Sequence, residues 1–282
     1  MDLAISATLN GLTLISILML VGMGLAIIYG LMGIINMSHG DFITIGAFSL
    51  ALVQGLGGSF WLALALAPLI GAAFGLVIEK SIVQFLYRRP LATIMATWGL
   101  SLIIQQSLQL IFGAAPQRVS TPITASIDIL GTPYPVYRLV LIIIAITLVL
   151  ATHFFMQRTR FGLELRTVIQ NPEMADALGI DTSRVYAIAF SLATGLSAVA
   201  GVLLAPLTAV IAQMGVNYLA RSFFVVIVGG AGSVPGVIAG SSFVGGLETA
   251  FNYVMPATMS QALVLVLAII LVRFRPSGIV SR

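Results

Sequence analysis

The stretch 11-GLTLISILMLVGMGLAIIYGLMG-33 carries no charged residue and is long enough to cross a lipid bilayer as a helix. The whole chain has the same character: of its 282 residues 59% are hydrophobic and 8% are charged, and its mean hydropathy is +1.11. A soluble domain has about a quarter charged residues, so most of this surface must face lipid. Frequent Leu, Ala, Gly and Met, with little alternation, favour helices over a β-barrel.

Apolar runs predict membrane helices at about 8–34, 41–57, 60–79, 91–112, 138–157, 186–211, 220–237, 239–255 and 257–272. We therefore predict an all-α polytopic membrane protein with about eight or nine transmembrane or re-entrant helices, forming one domain over residues 1–282. Motifs such as 71-GAAFG-75 and 236-GVIAG-240 offer small-residue faces for close helix packing.

Two of these apolar regions are irregular. The run 41–57 is short, and 220–255 is interrupted by 229-GGAGSVPG-236, so either could enter the membrane and return. Such interruptions are where a solute pathway is expected. The glycines proposed to break the helices are Gly40, Gly229, Gly230, Gly232 and Gly236.

Basic residues cluster in 79–90, 157–185 and 273–282, which the positive-inside rule places in the cytoplasm together with the C-terminus. The segment 113–137, rich in Pro, Thr and Ser, is expected as an outer loop. This clustering accounts for the net charge of +4 without a nucleic-acid partner. The absence of cysteine excludes disulfides and cysteine-based metal sites, and the first apolar stretch lacks the basic lead of a cleaved signal peptide.

The polar segment 158–185 predicts a short helical hairpin. Asn171 suits the N-cap of its second helix, Pro172 and Glu173 suit the first turn, and Gly179 suits the end. This segment could lie on the membrane as an amphipathic loop, or it could dock into the groove of a cytoplasmic partner.

Asn36, His39 and Asp41 form a polar cluster in 33-GIINMSHGDFITIG-46, between two apolar runs. One interpretation puts the cluster at the cytoplasmic membrane surface, where it caps the helix that begins near Asp41. The other makes it the polar end of a broken helix that lines a solute pathway.

Further polar residues within the predicted helices raise the same alternatives. Glu248 and Asn252 share one helical face, where the carboxylate bonds a neighbouring helix, lines the pathway or contacts another subunit. Gln105 and Gln106, with Trp98 on the same segment, could bind an amide-containing solute or hold helices together.

Enzymatic chemistry is poorly supported. His153 is far in sequence from His39, the other histidine, so that no metal-ligand pattern is formed. Ser38, His39 and Asp41 are too close in sequence for the geometry of a catalytic triad. No Gly-rich phosphate-binding loop precedes the single lysine, Lys80. We expect no enzymatic activity and no bound cofactor, so the energy for transport would come from a partner.

Three motifs, 30-GLMGIINMSHGDFITIGAF-48, 158-RTRFGLELRTVIQNPEMADALGI-180 and 222-SFFVVIVGGAGSVPGVIAG-240, resemble the branched-chain amino acid permease family of ABC importers. Within it, 89-RPLATIMATWGLSLIIQQSLQLIFG-113 is more similar to permeases for urea and short-chain amides. The resemblance implies a subunit in the bacterial inner membrane that translocates urea or short-chain amides by alternating access. Branched-chain or other hydrophobic amino acids are the alternative solutes, and a passive urea channel is a further alternative. In 39-HGD-41 the aspartate stands where many relatives carry glutamate.

The same resemblance implies the partners of the chain. They are a second homologous permease subunit, two cytoplasmic ATP-binding subunits and a periplasmic solute-binding protein, and the ATP-binding subunits bind ATP and magnesium. It also implies that 158–185 couples this chain to the ATP-binding subunits. The coupling residues would be Arg166, Asn171, Pro172, Glu173, Ala175 and Gly179.

Overall fold

The computed structural model describes residues 2–33, 36–87, 89–129, 131–230, 232–275 and 278–280. The helices in these residues are α1 (Asp2–Met32), α2 (His39–Gly55), α3 (Phe60–Ser81), α4 (Pro90–Phe112), α5 (Val136–Arg158), α6 (Arg160–Gln170), α7 (Pro172–Ala177), α8 (Thr182–Leu204), α9 (Met214–Gly229), α10 (Val234–Asn252) and α11 (Ala257–Phe274). One antiparallel hairpin is formed by β1 (Ser126–Ile129) and β2 (Thr132–Pro135). Single 3-10 turns, Val83–Phe85 and Ala205–Leu207, follow α3 and α8. Arg88 and Arg282 of the predicted basic segments lie outside the described residues.

Among the described residues, six helices are long and apolar enough to cross a membrane, namely α1, α3, α4, α5, α8 and α11. The pair α9 and α10, bent by 118° at its break, is a seventh candidate. This confirms the predicted all-α polytopic membrane protein. The part of the chain that the structure describes does not form nine full spans, because α2 and α9 have 17 and 16 residues. At 1.5 Å per residue they are about 24–26 Å long, whereas the hydrocarbon core is about 30 Å thick.

The helices run between two ends of the protein. The end of α3, the start of α4, the end of α5 and the start of α8 meet at one end of the protein, which we call the basic end. The basic residues there are Lys80, Arg89, Arg158 and Arg184. Stacking of Tyr87 on Tyr186, with ring centroids 4.3 Å apart, joins parts of this end. The β-hairpin lies between α4 and α5 at the other end, which we call the hairpin end.

The core of the protein is built around α1, α2 and α8. In the most apolar stretches of α1 and α8, 78% of the residues are buried. In the corresponding stretches of α3, α4, α5 and α11 only 17–28% are buried, so these helices form the periphery. Glycines let α3 approach α8 closely: a Cβ built at Gly71 would lie 2.6 Å from the Cβ of Ala198. The small-residue face predicted for 71-GAAFG-75 is therefore a packing surface.

The predicted outer loop 113–137 contains the β-hairpin, which was not predicted. Its turn includes Gly131, whose φ of +87° is easily adopted only by glycine. Tyr134 of β2 is buried, and its hydroxyl lies 2.5 Å from the hydroxyl of Thr13 and donates to the carbonyl of Leu9 at 2.9 Å. These bonds anchor the hairpin to α1.

The predicted bounds 220–237 and 239–255 differ from the observed ones, because α9 ends at Gly229 and α10 begins at Val234, within the predicted interruption 229–236. Gly230 and Gly232 have φ values of +107° and +73°, which end α9 in a backbone conformation suited to glycine. Ser233 then caps α10, since its Oγ accepts a hydrogen bond of 3.1 Å from the backbone N–H three residues later.

Candidate functional site

The polar cluster between α1 and α2 lies inside the protein. Asn36, His39 and Asp41 are each 0% exposed, and α2 begins at His39. The preceding residue, Ser38, forms no side-chain cap bond with the helix. The cluster is therefore enclosed by other helices, and Ser38 does not act as a side-chain cap of α2.

Asp41 faces α4. Its Oδ1 accepts a hydrogen bond of 3.1 Å from the Nε2 amide of Gln105, and the same amide donates to the Oγ of Ser101 at 2.8 Å. The second carboxylate oxygen, Oδ2, has no hydrogen-bond partner among the described residues. A buried carboxylate is stable only where donors face it, so Gln105 holds Asp41 in place while one acceptor atom stays free.

His39 contacts α8, whereas Asn36 forms hydrogen bonds with the neighbouring Ser38. The Nε2 of His39 lies 3.2 Å from the Oγ of Ser197, whose hydroxyl donates to the carbonyl of Ala193 at 2.9 Å. Which of the two side chains donates is set by the tautomer of His39. The Oδ1 of Asn36 accepts from the backbone N–H and the hydroxyl of Ser38, at 3.0 and 2.8 Å, while its Nδ2 has no partner in the described part of the chain.

A stripe of polar side chains on α4 faces this cluster. Thr93, Thr97, Ser101 and Gln105 recur every four residues, which places them on one face of the helix. The three hydroxyl residues are buried, and Thr97 accepts a hydrogen bond of 3.1 Å from the backbone N–H of Met37. Sequence reasoning missed the three hydroxyl residues, although their spacing alone could have revealed the stripe.

The other residues predicted on this segment point elsewhere. Trp98 is 55% exposed, and Gln106 is exposed as well. Neither joins Asp41, so the predicted group of Trp98, Gln105 and Gln106 is not assembled within this chain. Only Gln105 reaches the cluster.

The first turns of α2 and α9 meet beside Asp41. A Cβ built at Gly40 would lie 2.5 Å from the carbonyl oxygen of Gly215, and the backbone N–H of Gly215 donates to the Oγ1 of Thr44 at 3.0 Å. Gly40 is therefore the second residue of α2 at a helix contact, and not a helix-breaking residue as predicted. Two positive helix ends close to Asp41 favour its carboxylate. Gly215 and Thr44 were not predicted.

Glu248 forms an ion pair that links α10 to α9. Its Oε1 lies 3.1 Å from the Nη2 of Arg221, and Glu248 is buried. Asn252, predicted on the same face, is exposed and takes no part in the pair. Arg221 was not among the predicted residues, although a lone arginine within the apolar α9 is a signal of function or of pairing.

The predicted coupling segment forms two helices, α6 and α7, as expected from the sequence. The Oδ1 of Asn171 accepts from the backbone N–H of Met174 at 3.0 Å and caps α7. Gly179, with a φ of +82°, ends the turn that follows α7. Arg166 bonds the carbonyl of Gly162 and, at 3.0 Å, the side chain of Gln157.

The faces of α7 differ in exposure. Pro172, Glu173, Met174 and Leu178 are exposed. Ala175 is fully buried against the rest of the chain, so it cannot offer the small contact surface to a partner that we expected. A docking surface on this segment therefore consists of the exposed residues.

Comparison with known proteins gives the family. Residues 7–272 match the family described as branched-chain amino acid transport system, permease component. The high-affinity branched-chain amino acid transport system permease protein LivH of Salmonella typhimurium is 28% identical, over 97% of this chain and 94% of the relative. The corresponding protein BraD of Pseudomonas aeruginosa is 26% identical over the same shares.

A more distant relative is the nucleoside ABC transporter permease protein NupC of Lactococcus lactis, 28% identical over 53% of this chain and 51% of its own. No solved structure matches the chain. Since the family match spans nearly the whole sequence, the chain belongs to the family of permease components of branched-chain amino acid transport systems.

Proposed function

We propose that this chain is the permease subunit of an ATP-driven importer for branched-chain or other hydrophobic amino acids. The observation that carries the proposal is the family match over residues 7–272, together with relatives named for branched-chain amino acid transport over 97% of the chain. Solute passes through the membrane subunits, and partner subunits hydrolyse ATP.

Urea and short-chain amides were the preferred solutes of the sequence analysis, on the strength of segment 89–113. The comparisons give those solutes no support and favour the amino-acid alternative. Two of the three side chains that suggested amide recognition, Trp98 and Gln106, are exposed on the periphery of this chain. Urea and acetamide therefore serve as comparison solutes in the test.

The orientation and the partners follow from the charges and the family. Under the positive-inside rule the basic end faces the cytoplasm, and with it α6, α7 and the C-terminal end of α11. The ATP-binding subunits would then meet the exposed residues of α7. A second permease subunit would cover part of the apolar periphery, and a solute-binding protein would approach the hairpin end in the periplasm.

The buried polar cluster is the best-placed part of a solute pathway in the core. Asp41 Oδ2 and Asn36 Nδ2 supply an acceptor and a donor that no other described group engages. Both belong to a helix break at the junction of α1, α2 and α4, which is where broken helices of transporters place their polar groups.

Uptake measurements test the proposed function. Cells that lack only this chain, and the same cells with the chain restored, are given labelled leucine, urea or acetamide at micromolar concentration. We expect leucine uptake to depend on the chain, and urea and acetamide uptake to be unaffected. If uptake of urea or acetamide depends on the chain and uptake of leucine does not, the amino-acid assignment is rejected in favour of urea and short-chain amides. The family assignment would stand.

A further inference from the structure

A cleft of about 310 Å³ lies between α9, α10 and α11, apart from the Asp41 cluster. Its wall contains both members of the ion pair, Arg221 and Glu248. Such a volume is at the lower end of the range for small-molecule sites in proteins, about 300–1,000 Å³. The cleft is therefore of a size for one small solute.

The charges of the cleft are only partly used within this chain. The Nη2 of Arg221 bonds Glu248 at 3.1 Å, and no other hydrogen bond of the guanidinium is found in the described structure. A guanidinium has five N–H donors, and the Arg221 side chain is 25% exposed. The guanidinium also lies over the Tyr218 ring, 5.8 Å from its centroid, and N–H donors remain unengaged in the described structure, beside a carboxylate.

Apolar side chains line much of the rest of the cleft, beside the polar Asn217, Thr258 and Gln261. They are Phe224 of α9, Val244 of α10, and Val264 and Leu265 of α11. Contact with hydrocarbon tails would be costly for the ion pair, because charged side chains in membrane helices normally face protein or water. A cationic group, an anionic group and an apolar wall in one small cleft match the three parts of a hydrophobic amino acid.

We propose that this cleft is a subsite for a hydrophobic amino acid in its zwitterionic form. The free N–H donors of Arg221 receive the α-carboxylate, Glu248 receives the α-ammonium group, and the aliphatic side chain lies against Phe224 and Val264. This inference rests on the proposed function and deepens it, because it assigns solute contacts to residues at the periphery of the chain, in addition to the core cluster.

Cysteine labelling tests occupancy of the cleft without disturbing the ion pair. The chain has no cysteine, so Thr258→Cys at the cleft introduces a single thiol. Thr124→Cys, on the exposed segment before the hairpin, is the matched control. Both variants of the full chain are made in membrane vesicles with the partner subunits present, and labelling of this chain by a maleimide is followed over time.

We expect millimolar leucine to slow labelling of Thr258→Cys but not of Thr124→Cys. Leucinamide lacks the carboxylate and 4-methylpentanoate lacks the ammonium group, so both should protect much less. Equal labelling with and without leucine, while leucine uptake still depends on the chain, would overturn the subsite and leave the proposed function intact. Protection by phosphatidylethanolamine but not by leucine would assign the cleft to a lipid headgroup and also overturn the proposal.

Transport kinetics separate solute binding from a purely structural ion pair. Glu248→Gln should raise the KM for leucine by at least about tenfold, since a charged hydrogen bond is lost from the site. The double variant Arg221→Met with Glu248→Met removes both charges without leaving one unpaired, and it should assemble normally. If that variant transports leucine with an unchanged KM, the pair only joins helices and the proposal fails. Leucine uptake that is independent of the chain would reject both the subsite and the proposed function.

Discussion

The Oγ1 of Thr44 accepts a hydrogen bond of 3.0 Å from the backbone N–H of Gly215, and this bond joins the second turn of α2 to the first turn of α9. Both helices are too short to cross a bilayer alone. Their contact lies one turn from Asp41, so the position of the candidate pathway depends on how these two helices meet.

Gly40→Ala should destabilise the protein at this contact. The added Cβ would lie 2.5 Å from the carbonyl oxygen of Gly215, and backbone atoms cannot give way cheaply. Overpacking of this kind costs about 1–3 kcal/mol of unfolding free energy. Thermal unfolding of the purified chain measures it. Gly99→Ala on α4 is the control, since nothing lies within 4 Å of its Cβ, and equal melting temperatures for the two variants would contradict the close packing of α2 on α9.

Thr44→Val tests the hydrogen bond itself. The substitution keeps the shape of the side chain but leaves the N–H of Gly215 without its acceptor, at a cost of about 1–3 kcal/mol. Thr147→Val is the matched control, because the Thr147 hydroxyl is exposed and bonds only within its own helix. Denaturant unfolding in detergent should separate the two variants, and a Thr44→Val midpoint equal to that of the control would show that the bond is unimportant.

Gln105→Leu removes the donor that holds Asp41. The carboxylate would then lose a hydrogen-bond donor, and we expect the protein to lose about 1–3 kcal/mol of unfolding free energy and most of its leucine uptake. Gln106→Leu, one position away on the exposed side, should change neither. Uptake and membrane abundance are measured together, so that loss of transport at normal abundance points to the pathway and loss of both to folding.

The sequence predicted the helices, the short α2 and the interruption after α9, because long apolar runs and glycine clusters are local signals. It also pointed to Asn36, His39, Asp41 and Glu248, since polar residues in apolar surroundings are conspicuous. It could not predict Gly215 or Arg221 as partners, because those contacts join residues far apart in the chain. The sequence also could not show that the cluster is buried, because the burial of Asp41 depends on how α4 packs against it.

Tyr87→Phe should weaken the basic end of the protein. The hydroxyl of Tyr87 donates to the Oε1 of Glu79 at 2.8 Å, and Glu79 is buried. Burial is the main cause that raises the pKa of Tyr87, and the hydrogen bond to Glu79 raises it further. The phenol therefore stays a donor in the folded state, and stability should fall only above about pH 10, where the unfolded chain ionises.

The expected loss for Tyr87→Phe is about 1–3 kcal/mol at neutral pH, because the buried carboxylate loses a donor. Tyr253→Phe, at a site that is 58% exposed, is the control. Thermal melts at pH 7 measure the loss caused by Tyr87→Phe, and melts of the unsubstituted protein at pH 11 measure the fall in stability at high pH. A wild-type melting temperature at pH 7 would mean that Glu79 finds another donor.

Glu173→Lys tests whether α7 couples this chain to an ATP-binding subunit. Glu173 is exposed in the first turn of α7, where a negative charge suits the helix dipole. Reversal of that charge costs the helix about 0.3–1 kcal/mol, which corresponds to a factor of about five at most. A fall in leucine uptake well beyond fivefold, with normal assembly of the complex, would locate a partner contact at this residue. Asp128→Lys makes the same charge change on the exposed β-hairpin, far from α7, and should leave assembly with the ATP-binding subunits unchanged. Normal uptake by a fully assembled Glu173→Lys complex would remove Glu173 from the coupling surface, and Met174 and Leu178 would then be its remaining exposed apolar contacts.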